Sequence, residues 1–242
     1  MRRATLSATG LLGSPKLARP AILGRKGERT KAALKAATAK VLAARGFHET
    51  RVNDICSAAG VSQGNFYIYF GDKVEAVKEV LADFIREHFS QVLSGPHHED
   101  AFAAILTANQ RYIEIFEKHS RLSRSLGEAL YAIPELRRQW EQGTAEFSRR
   151  IAEAVARRCP RSQSHERARL FAAHGLQAMV DSIVLGYFAW EDPLLRRTVR
   201  SPEELAEYLS VLWHRAMYGR DPRASQVKHA RSMLALKLPT QR

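Results

Sequence analysis

Amide and hydroxyl side chains gather in the short segment that follows Gly60. The amides of Gln63 and Asn65 each place a donor beside an acceptor, and this pair matches the edge of adenine in the major groove. The hydroxyls of Tyr67 and Tyr69 suit phosphate oxygens, which fix register rather than sequence, although Tyr67 is equally suited to packing in a core. These residue types indicate contacts with a nucleic acid through base edges and phosphates.

Two short helices joined by a tight turn are predicted to position these side chains. Residues 53–59 and 63–70 have the composition of short helices, and Gly60 permits the turn between them. Ser62 is predicted to be the N-cap of the second helix, and Val61 to fill the angle between the two. Such a helix-turn-helix presents the first side chains of its second helix to the major groove. The small core behind it is expected to contain Ile55, Ala59, Phe66 and Phe70.

A further helix is predicted on each side of this motif. The first spans Arg29–Arg45 and stops at Gly46. The other begins after Asp72, with Glu75 completing a capping-box-like pair, and ends near Leu93. The apolar face of the first helix is predicted to hold Leu34, Ala37, Val41 and Ala44. Its outer side is predicted to be basic through Lys31, Lys35 and Lys40.

The positive charge of the chain lies at its two ends. The formal net charge of +13 divides into +10 for residues 1–52, −2 for residues 53–219 and +5 for residues 220–242. A concentrated basic segment indicates a polyanionic partner, which is either a nucleic acid or an anionic lipid surface. A basic tail that only aids solubility is the alternative for this feature taken alone.

Several classes of function lack their characteristic residues. The two cysteines, Cys56 and Cys159, allow one disulfide bond at most and form no C-x-x-C or Cys/His zinc pattern. No G-x-G-x-x-G, P-loop or H-E-x-x-H motif occurs in the sequence. The longest nearly uncharged run, Leu170–Trp190, contains His174 and Asp181, and therefore predicts a buried helix rather than a membrane span. We predict no catalytic residue, no metal, no cofactor and no membrane partner.

The rest of the chain is predicted to be helical, without strand alternation of useful length. Long helices are expected at about 99–118, 121–132, 134–158, 164–190 and 202–218. The predicted fold class is all-α, with an N-terminal three-helix helix-turn-helix domain and a larger helical domain. The predicted segments are a flexible basic arm (1–24), the helix-turn-helix domain (25–72), the larger domain (73–219, with a connecting helix at 73–93) and a basic, loosely ordered tail (220–242).

A pattern of residues at fixed spacing extends from about Lys31 to Val80. The positions that carry it are Gly46-Phe47, Thr50, Val52, Ile55, Gly60-Val61-Ser62, Gly64, Tyr67, Tyr69-Phe70 and Lys73. In this pattern the chain resembles the N-terminal domain of the TetR family of bacterial transcriptional regulators. It departs from the family at Arg51 and Asn65, where Thr is frequent, and at Cys56, where Ala is common.

The resemblance implies contacts between the helix-turn-helix and duplex DNA. The corresponding positions, together with nearby basic residues, are Lys26, Lys31, Arg51, Ser62, Gln63, Asn65, Tyr67, Tyr69 and Lys73. Lys26 and Lys31 would touch phosphates or only add to the positive field, and Lys73 is either a phosphate contact or an ordinary surface lysine. Arg51 cannot cap a helix as Thr does, but its charge can reach a phosphate.

The resemblance also implies a two-fold dimer and a ligand pocket, so that the larger domain would be regulatory and dimerising. The last two long helices would form the dimer interface, and the middle helices would enclose a small molecule whose binding releases DNA. The interface candidates are Met179, Asp181, Ile183, Tyr187, Leu209 and Trp213. The pocket candidates are Tyr112, Phe116, Tyr131, Trp140, Phe147 and His174. Asp181 is expected to be paired because its helix is nearly apolar, with a partner across the interface preferred over a cationic ligand.

Together these features predict a sequence-specific, DNA-binding transcriptional regulator. It would act in the bacterial cytoplasm, at the nucleoid, as a homodimeric repressor that a small-molecule effector releases from a palindromic operator. Two rival classes stay open from the residues alone. One is a basic helical module that binds anionic membranes or nucleic acid without sequence preference. The other is a helical enzyme whose basic ends bind a phosphorylated substrate.

Overall fold

The computed structural model describes residues 24–95, 98–159 and 165–236, and the regular structure in these ranges is helical. The helices are α1 (Arg25–Glu49), α2 (Val52–Ala59), α3 (Gln63–Tyr69), α4 (Lys73–Leu93), α5 (Ala101–Ala132), α6 (Pro134–Arg158), α7 (Glu166–Phe188), α8 (Pro193–Thr198), α9 (Pro202–Tyr218) and α10 (Arg231–Ala235). The prediction of an all-α fold is confirmed. The predicted basic arm at 1–24 lies outside the described residues, apart from Gly24.

Local capping chemistry sets the start of two long helices. The Asp72 carboxylate accepts the N–H of Glu75 at 2.8 Å, while the Glu75 carboxylate accepts the N–H of Gly71 at 2.6 Å. Ser201 caps α9 in the same way, through the N–H of Glu204. These side chains satisfy backbone donors that a helix leaves unpaired in its first turn. The capping-box-like pair expected at Asp72 is therefore confirmed.

Two features of the helix order differ from the prediction. The expected helices at 99–118 and 121–132 form a single helix, α5, in which His119 departs from helical geometry (φ −121°, ψ 23°). The expected break near Ser120 is therefore a kink, since no proline or glycine interrupts the chain there. The short helix α8 is not evident from the sequence pattern. It begins where the Asp192 carboxylate accepts two backbone N–H groups.

Two lysines of helix α1, Lys31 and Lys35, form ion pairs with acidic side chains of α4. Lys31 Nζ lies 2.8 Å from the Glu79 carboxylate, and Lys35 is bonded to the carboxylate of Asp83. The expected basic outer side is therefore wrong at these two positions. All four side chains are partly exposed, so each pair contributes at most about 1 kcal/mol. Their effect is to set the position of α1 along α4.

The apolar face of α1 is confirmed at Leu34, Ala37 and Val41, which are buried. Ala44, also expected in the core, is exposed, and Leu42 is buried as well. Gly46 adopts a φ of 82°, in the region that favours glycine, and Phe47 after it is buried. The helix proper thus ends before Gly46, as predicted, although a further turn follows it.

Buried side chains form three main clusters along the molecule. The cluster behind the helix-turn-helix contains Leu34, Ala37, Val41, Ile55, Cys56, Phe66, Phe70 and Ala76. The junction cluster of α1, α4, α5 and α6 includes Leu42, Phe47, Val77, Leu81, Ile85, Leu126 and Leu136. The distal cluster of α5, α7 and α9 includes Tyr112, Phe116, Val184, Tyr187, Leu209 and Trp213. Helix α1 contributes to the first two clusters, so the helix-turn-helix is packed directly onto the larger domain.

The C-terminal segment is packed against α9 and does not form a loose tail. Glu207, buried on α9, accepts backbone N–H groups from Lys228 (3.0 Å), His229 (2.6 Å) and Ala230 (2.9 Å). Val227 and Ala230 are fully buried in the same place. We call residues 219–236 the C-terminal strap. The predicted loose order of 220–242 is therefore wrong for residues 220–236, and the remaining residues lie outside the described ranges.

Among the described residues, no helix combines the length and the apolar character that crossing a membrane would require. The nearly uncharged run at 170–190 falls mostly in α7, where Asp181 and Gln177 face buried partners.

Candidate nucleic-acid interface

The turn between α2 and α3 depends on one glycine. Gly60 adopts a left-handed conformation (φ 66°, ψ 34°), and its N–H bonds back to carbonyl oxygens of α2. The N–H of Val61 also bonds to the Cys56 carbonyl at 3.1 Å, and its side chain packs against the cluster behind the helices. Residues other than glycine rarely adopt this left-handed backbone conformation. The predicted roles of Gly60 and Val61 are confirmed.

Helix α3 is held at its start and along its inner face. Ser62 Oγ accepts the N–H of Asn65 at 3.2 Å, which confirms Ser62 as the N-cap. Phe66 and Phe70 are almost fully buried, with their ring centroids 5.5 Å apart. This anchoring fixes the direction in which the outer face of the helix points, and it leaves the Ser62 hydroxyl occupied in capping.

The outer face of α3 carries Gln63 and Tyr67, which stand one helical turn apart. Tyr67 is 54% exposed, so the alternative that it packs in the core is wrong. Asn65 and Tyr69 share the neighbouring edge and are only half-exposed, and Tyr69 packs partly against the inner cluster. Of the predicted reading residues, Gln63 is therefore presented most directly to solvent.

Two exposed side chains of this surface were not predicted from the sequence to belong to the site. Ile68 on α3 is 69% exposed, which is unusual for an aliphatic residue in so small a domain. Asn53 on α2 lies beside Gln63, with its Oδ1 3.5 Å from the Gln63 amide nitrogen. The only signal for either in the sequence is its position in a short helix of the motif. The exposed surface thus combines amides, a phenol and one apolar side chain.

Lys73 takes a position that leaves no donor for phosphate. Its Nζ donates to the carbonyl oxygens of Phe47 (3.4 Å), His48 (3.1 Å) and Thr50 (2.9 Å), at the end of α1. A lysine ammonium has three donors, and all three are used here. We therefore revise the predicted phosphate contact. Lys73 joins the start of α4 to the end of α1.

The other predicted cations divide into paired and free groups. Lys31 is paired with Glu79 and lies 5.4 Å from the centre of the Phe70 ring, so its charge faces the protein. Lys26 and Arg51 are exposed and form no ion pair within the described ranges. Arg51 occupies the N-cap position of α2 without a side-chain cap, as expected, and its guanidinium is left for other contacts.

The predicted pocket residues of the larger domain do not line one space. Tyr112 and Phe116 are buried with their rings stacked at 4.9 Å, whereas Tyr131 is 87% exposed and cannot line a pocket of this chain. His174 is also exposed, with Nδ1 3.4 Å from a serine hydroxyl. Phe147 alone among the six lines the apolar cavity between α5, α6 and α9. Trp140 is packed in the junction cluster.

A buried histidine on α4 was not identified from the sequence. His88 is 1% exposed and lies against the rings of Tyr112, Phe116 and Trp140, with centroids 5.0 to 5.7 Å away. Neither ring nitrogen has a hydrogen-bond partner among the described residues. Burial lowers the pKa of His88 to about 4. A single histidine in the helix pattern of α4 carries no sequence signal for this environment.

Most of the predicted interface residues belong to the core of the single chain. Tyr187, Leu209 and Trp213 are buried in the distal cluster, and Met179 and Ile183 pack against it. The physical reason is that α5, α7 and α9 pack against one another around these side chains. An interface must therefore use another face. From Phe171 onward, the exposed positions of α7 form one helical stripe: Phe171, His174, Gly175, Ala178 and Ser182.

Asp181 finds its partners within its own chain. Its carboxylate accepts hydrogen bonds from the Tyr112 hydroxyl and from the Gln177 amide, the latter at 2.7 Å. The expected partner across an interface is therefore not needed. Burial raises the pKa of Asp181 to about 6, and the two hydrogen bonds oppose that rise.

No cluster of three or more His, Cys, Asp or Glu side chains that could hold a metal occurs among the residues described. The geometry instead presents a short, capped helix with an exposed polar face beside unpaired cations. This arrangement suits contact with an extended polyanion.

Comparison with known proteins identifies the motif. Residues 34–80 match the family model described as bacterial regulatory proteins, tetR family. Over 201 residues the chain is 25% identical to the HTH-type transcriptional regulator EthR of Mycolicibacterium smegmatis, a match that covers 81% of this chain and 89% of that protein. It is 28% identical over 86 residues to the fatty acid metabolism regulator protein of Bacillus subtilis, covering 36% of this chain and 41% of the other.

Solved structures share the fold over most of the chain. A transcriptional regulator from Rhodococcus sp. Rha1 superposes with a TM-score of 0.65 at 20% identity, covering 79% of this chain and 98% of that one. The fatty acid degradation regulator FadR from Bacillus halodurans superposes with a TM-score of 0.58 at 16% identity, covering 80% and 97%. The family-model match covers α2, α3 and the adjoining parts of α1 and α4. This part of the chain is therefore similar to the DNA-binding region of bacterial regulatory proteins of the tetR family.

Proposed function

We propose that the protein is a homodimeric repressor that reads a palindromic operator through α3 and leaves it when a small-molecule effector binds. The observation that carries this proposal is the exposed face of α3, fixed by the Ser62 cap and the Gly60 turn. Such a rigid, polar helix face suits the major groove. The domain division at 72/73 and action at the bacterial nucleoid are part of the same proposal.

Base reading would centre on Gln63. Its amide is exposed at the first position of α3, and a bidentate pair with adenine discriminates by about 1–3 kcal/mol. Tyr67 is exposed one turn further on, and Arg51 and Lys26 are unpaired within the described ranges. These three groups would contact phosphates and set the register of the helix. Asn65 lies at the edge of this face and would take a secondary part.

The dimer would form through the exposed stripe of α7. Gly175, Ala178 and Ser182 are small, so a second helix can approach closely along this face, with Phe171 at one end. A two-fold axis makes such a stripe contact its own copy. The open edge of α9, at Leu212 and Ala216, adds a partly exposed apolar strip. Two copies joined in this way would present two recognition helices to successive turns of the duplex.

The effect of a bound effector would be transmitted to the helix-turn-helix through α5. Near the C-terminal end of this helix, Ser125 Oγ donates to the Leu42 carbonyl at 2.9 Å, and Glu128 accepts the N–H of Phe47 at 2.8 Å. These bonds attach α5 to the end of α1, which carries the helix-turn-helix. A ligand that binds one position of α5 more tightly than another would shift the population of the two recognition-helix spacings.

Selection of bound duplexes from a random pool at physiological salt tests the DNA proposal. We expect wild-type protein to enrich a two-fold-related motif, and Gln63→Ala to lose one base preference in each half-site. Gln142→Ala is the matched control, because Gln142 is an exposed amide on α6. Enrichment of no motif, together with binding that collapses as salt is raised, would contradict the proposal and favour a general polyanion binder.

A further inference from the structure

An apolar cavity of about 120 Å³ lies between α5, α6, α7 and α9, at the end of the larger domain away from the helix-turn-helix. Its wall on α5 is built from small side chains one turn apart: Ala101, Ala104 and Ala108. Ala154 continues this lining on α6, with Ile151 and Val155 beside it. Aliphatic cavities of about 150 Å³ take a benzene-sized molecule, so this one matches a single six-membered ring.

One polar group in the wall has no partner. Trp213 lines the cavity and is 4% exposed, and its indole N–H donates to no atom of the described residues. A buried donor without an acceptor is costly and rare. The amides of Asn109 and Gln177 also line the cavity, but their N–H groups donate to Ser210 and Asp181. The fully buried donor of this wall that lacks a partner among the described residues is therefore the Trp213 N–H, which requires a hydrogen-bond acceptor.

The charged side chain of the lining is engaged with the backbone. Arg158 is the charged residue among those that line the cavity. Its guanidinium donates to the backbone carbonyls of His98 (2.7 Å), Glu99 (3.5 Å) and Ala154 (3.5 Å). These bonds hold Arg158 against the loop before α5, where it closes one side of the space. Because its N–H groups are directed to these carbonyls, we expect the cavity to prefer an uncharged partner to a carboxylate.

We propose that this cavity binds a small neutral carbonyl compound, whose ring fills the alanine-lined wall and whose oxygen accepts the Trp213 N–H. The inference rests on the proposed effector function and gives that effector a chemical class. The position of the cavity also explains how ligand binding could affect DNA binding. Helix α5 forms the alanine wall, and its other end is hydrogen-bonded to Leu42 and Phe47 of α1.

Calorimetric titration of the full-length protein without DNA tests the site with two matched probes. Cyclohexanone carries the acceptor, and methylenecyclohexane has the same shape without it. We expect both to bind the wild-type protein. Trp213→Phe should weaken cyclohexanone about tenfold, since it removes the donor, and should change the methylenecyclohexane affinity by less than threefold. Trp190→Phe is the control, because Trp190 is exposed and lies outside the cavity.

A second variant keeps the test independent of the tryptophan. Ala108→Leu fills the cavity and should abolish binding of both probes while the helical circular dichroism is unchanged. The proposal is overturned if neither probe binds the wild type, if Trp213→Phe weakens both probes equally, or if cyclohexanecarboxylate binds more tightly than cyclohexanone. Operator binding is measured separately. Its persistence alongside any of these results would overturn the ligand class and leave the DNA proposal standing, whereas its absence alone would overturn the DNA proposal.

Discussion

Two titratable side chains in the larger domain, the partly buried Asp181 and the buried His88, change the stability of the fold in opposite directions as pH changes. Asp181 keeps its proton up to about pH 6 in the folded chain but loses it near 3.8 when unfolded. It therefore favours the folded state at low pH, and this contribution is lost as pH rises from 4 to 6. His88 has a folded pKa of about 4 against 6.5 when unfolded. Its contribution is present above 6.5 and is lost as pH falls to 4.

Asp181→Asn should raise the free energy of unfolding at pH 7 by on the order of 2 kcal/mol. The amide keeps an oxygen for the Tyr112 hydroxyl and removes the cost of a buried charge. In this variant the opposing effect of the Asp181 carboxylate is absent. The free energy of unfolding should then increase with pH between 4 and 6.5 because of His88. Urea titrations at a fixed protein concentration and several pH values measure both effects.

Glu141→Gln is the control for this prediction, since Glu141 is exposed on α6. Its stability curve should follow that of the wild type within about 0.5 kcal/mol. A destabilised Asp181→Asn at pH 7 would show that the carboxylate is held in its charged form by groups other than Tyr112 and Gln177.

Among individual residues, those whose roles were predicted correctly from the sequence are the ones whose roles depend on close neighbours in the chain. The roles of Gly60 and Ser62 follow from the conformation of one residue or from a hydrogen bond three residues away. Lys31 and Lys73 could not be placed in this way, because their partners lie 48 and about 25 residues distant. The burial of His88 likewise depends on rings from α5 and α6.

Among the elements, the C-terminal strap shows how a buried carboxylate can order a whole segment. Glu207 accepts N–H groups from three consecutive residues of the strap, and hydrogen bonds to a charged acceptor are stronger than neutral ones. Arg215 adds a bond to the Met233 carbonyl at 2.6 Å. The strap in turn covers one side of α9, where Val227 and Ala230 pack with Phe102 and Val211.

Glu207→Gln should release the strap. The amide turns one acceptor into a donor that faces the N–H of Lys228, so we expect a loss of about 2 kcal/mol in the free energy of unfolding. Limited proteolysis should then cut within 219–236 at a rate well above that of the wild type. Glu203→Gln, an exposed change on the same helix, should leave the cleavage rate unchanged. Equal protection of both variants would mean that Val227 and Ala230 alone hold the strap.

The elements predicted from the sequence were those bounded by caps or prolines. α3, α6 and α9 begin and end close to their predicted positions, since their starts carry Ser62, Pro134 and Pro202. α2 also lies where it was predicted, although its local signal is Gly60 at its end rather than a cap at its start. The strap was not predicted because its order comes from contacts with α9 that composition does not encode. α8 was not predicted although Asp192 and Pro193 mark its start, because a helix of six residues is too short to show a periodic pattern. The basic, proline-containing composition of this segment is typical of a free tail. Its order depends on Glu207, a buried partner on another element, which composition does not reveal.

For the whole molecule, the proposed dimer requires that two copies meet through α7. Ala178→Arg places a charged side chain in the middle of the exposed stripe of small residues. We expect it to yield a monomer by sedimentation velocity and to weaken binding to a palindromic site at least a hundredfold. The stability of the single chain should be unchanged within about 0.5 kcal/mol, because the position is exposed.

Ala145→Arg, an exposed alanine on α6, is the matched control and should remain a dimer. If Ala178→Arg also stays dimeric, the interface lies on another surface. The exposed edge of α9 at Leu212 and Ala216 would then be the next to vary.

The most direct test of the central claim is the dependence of binding on half-site spacing. Fluorescence anisotropy compares the selected operator with the same operator carrying five extra base pairs between its halves. Two recognition helices held at a fixed distance predict that this half-turn insertion reduces affinity to the level of random duplex, because the second half-site faces the opposite side of the DNA. Equal affinity for both duplexes would contradict the account and show that each chain binds DNA independently of a partner.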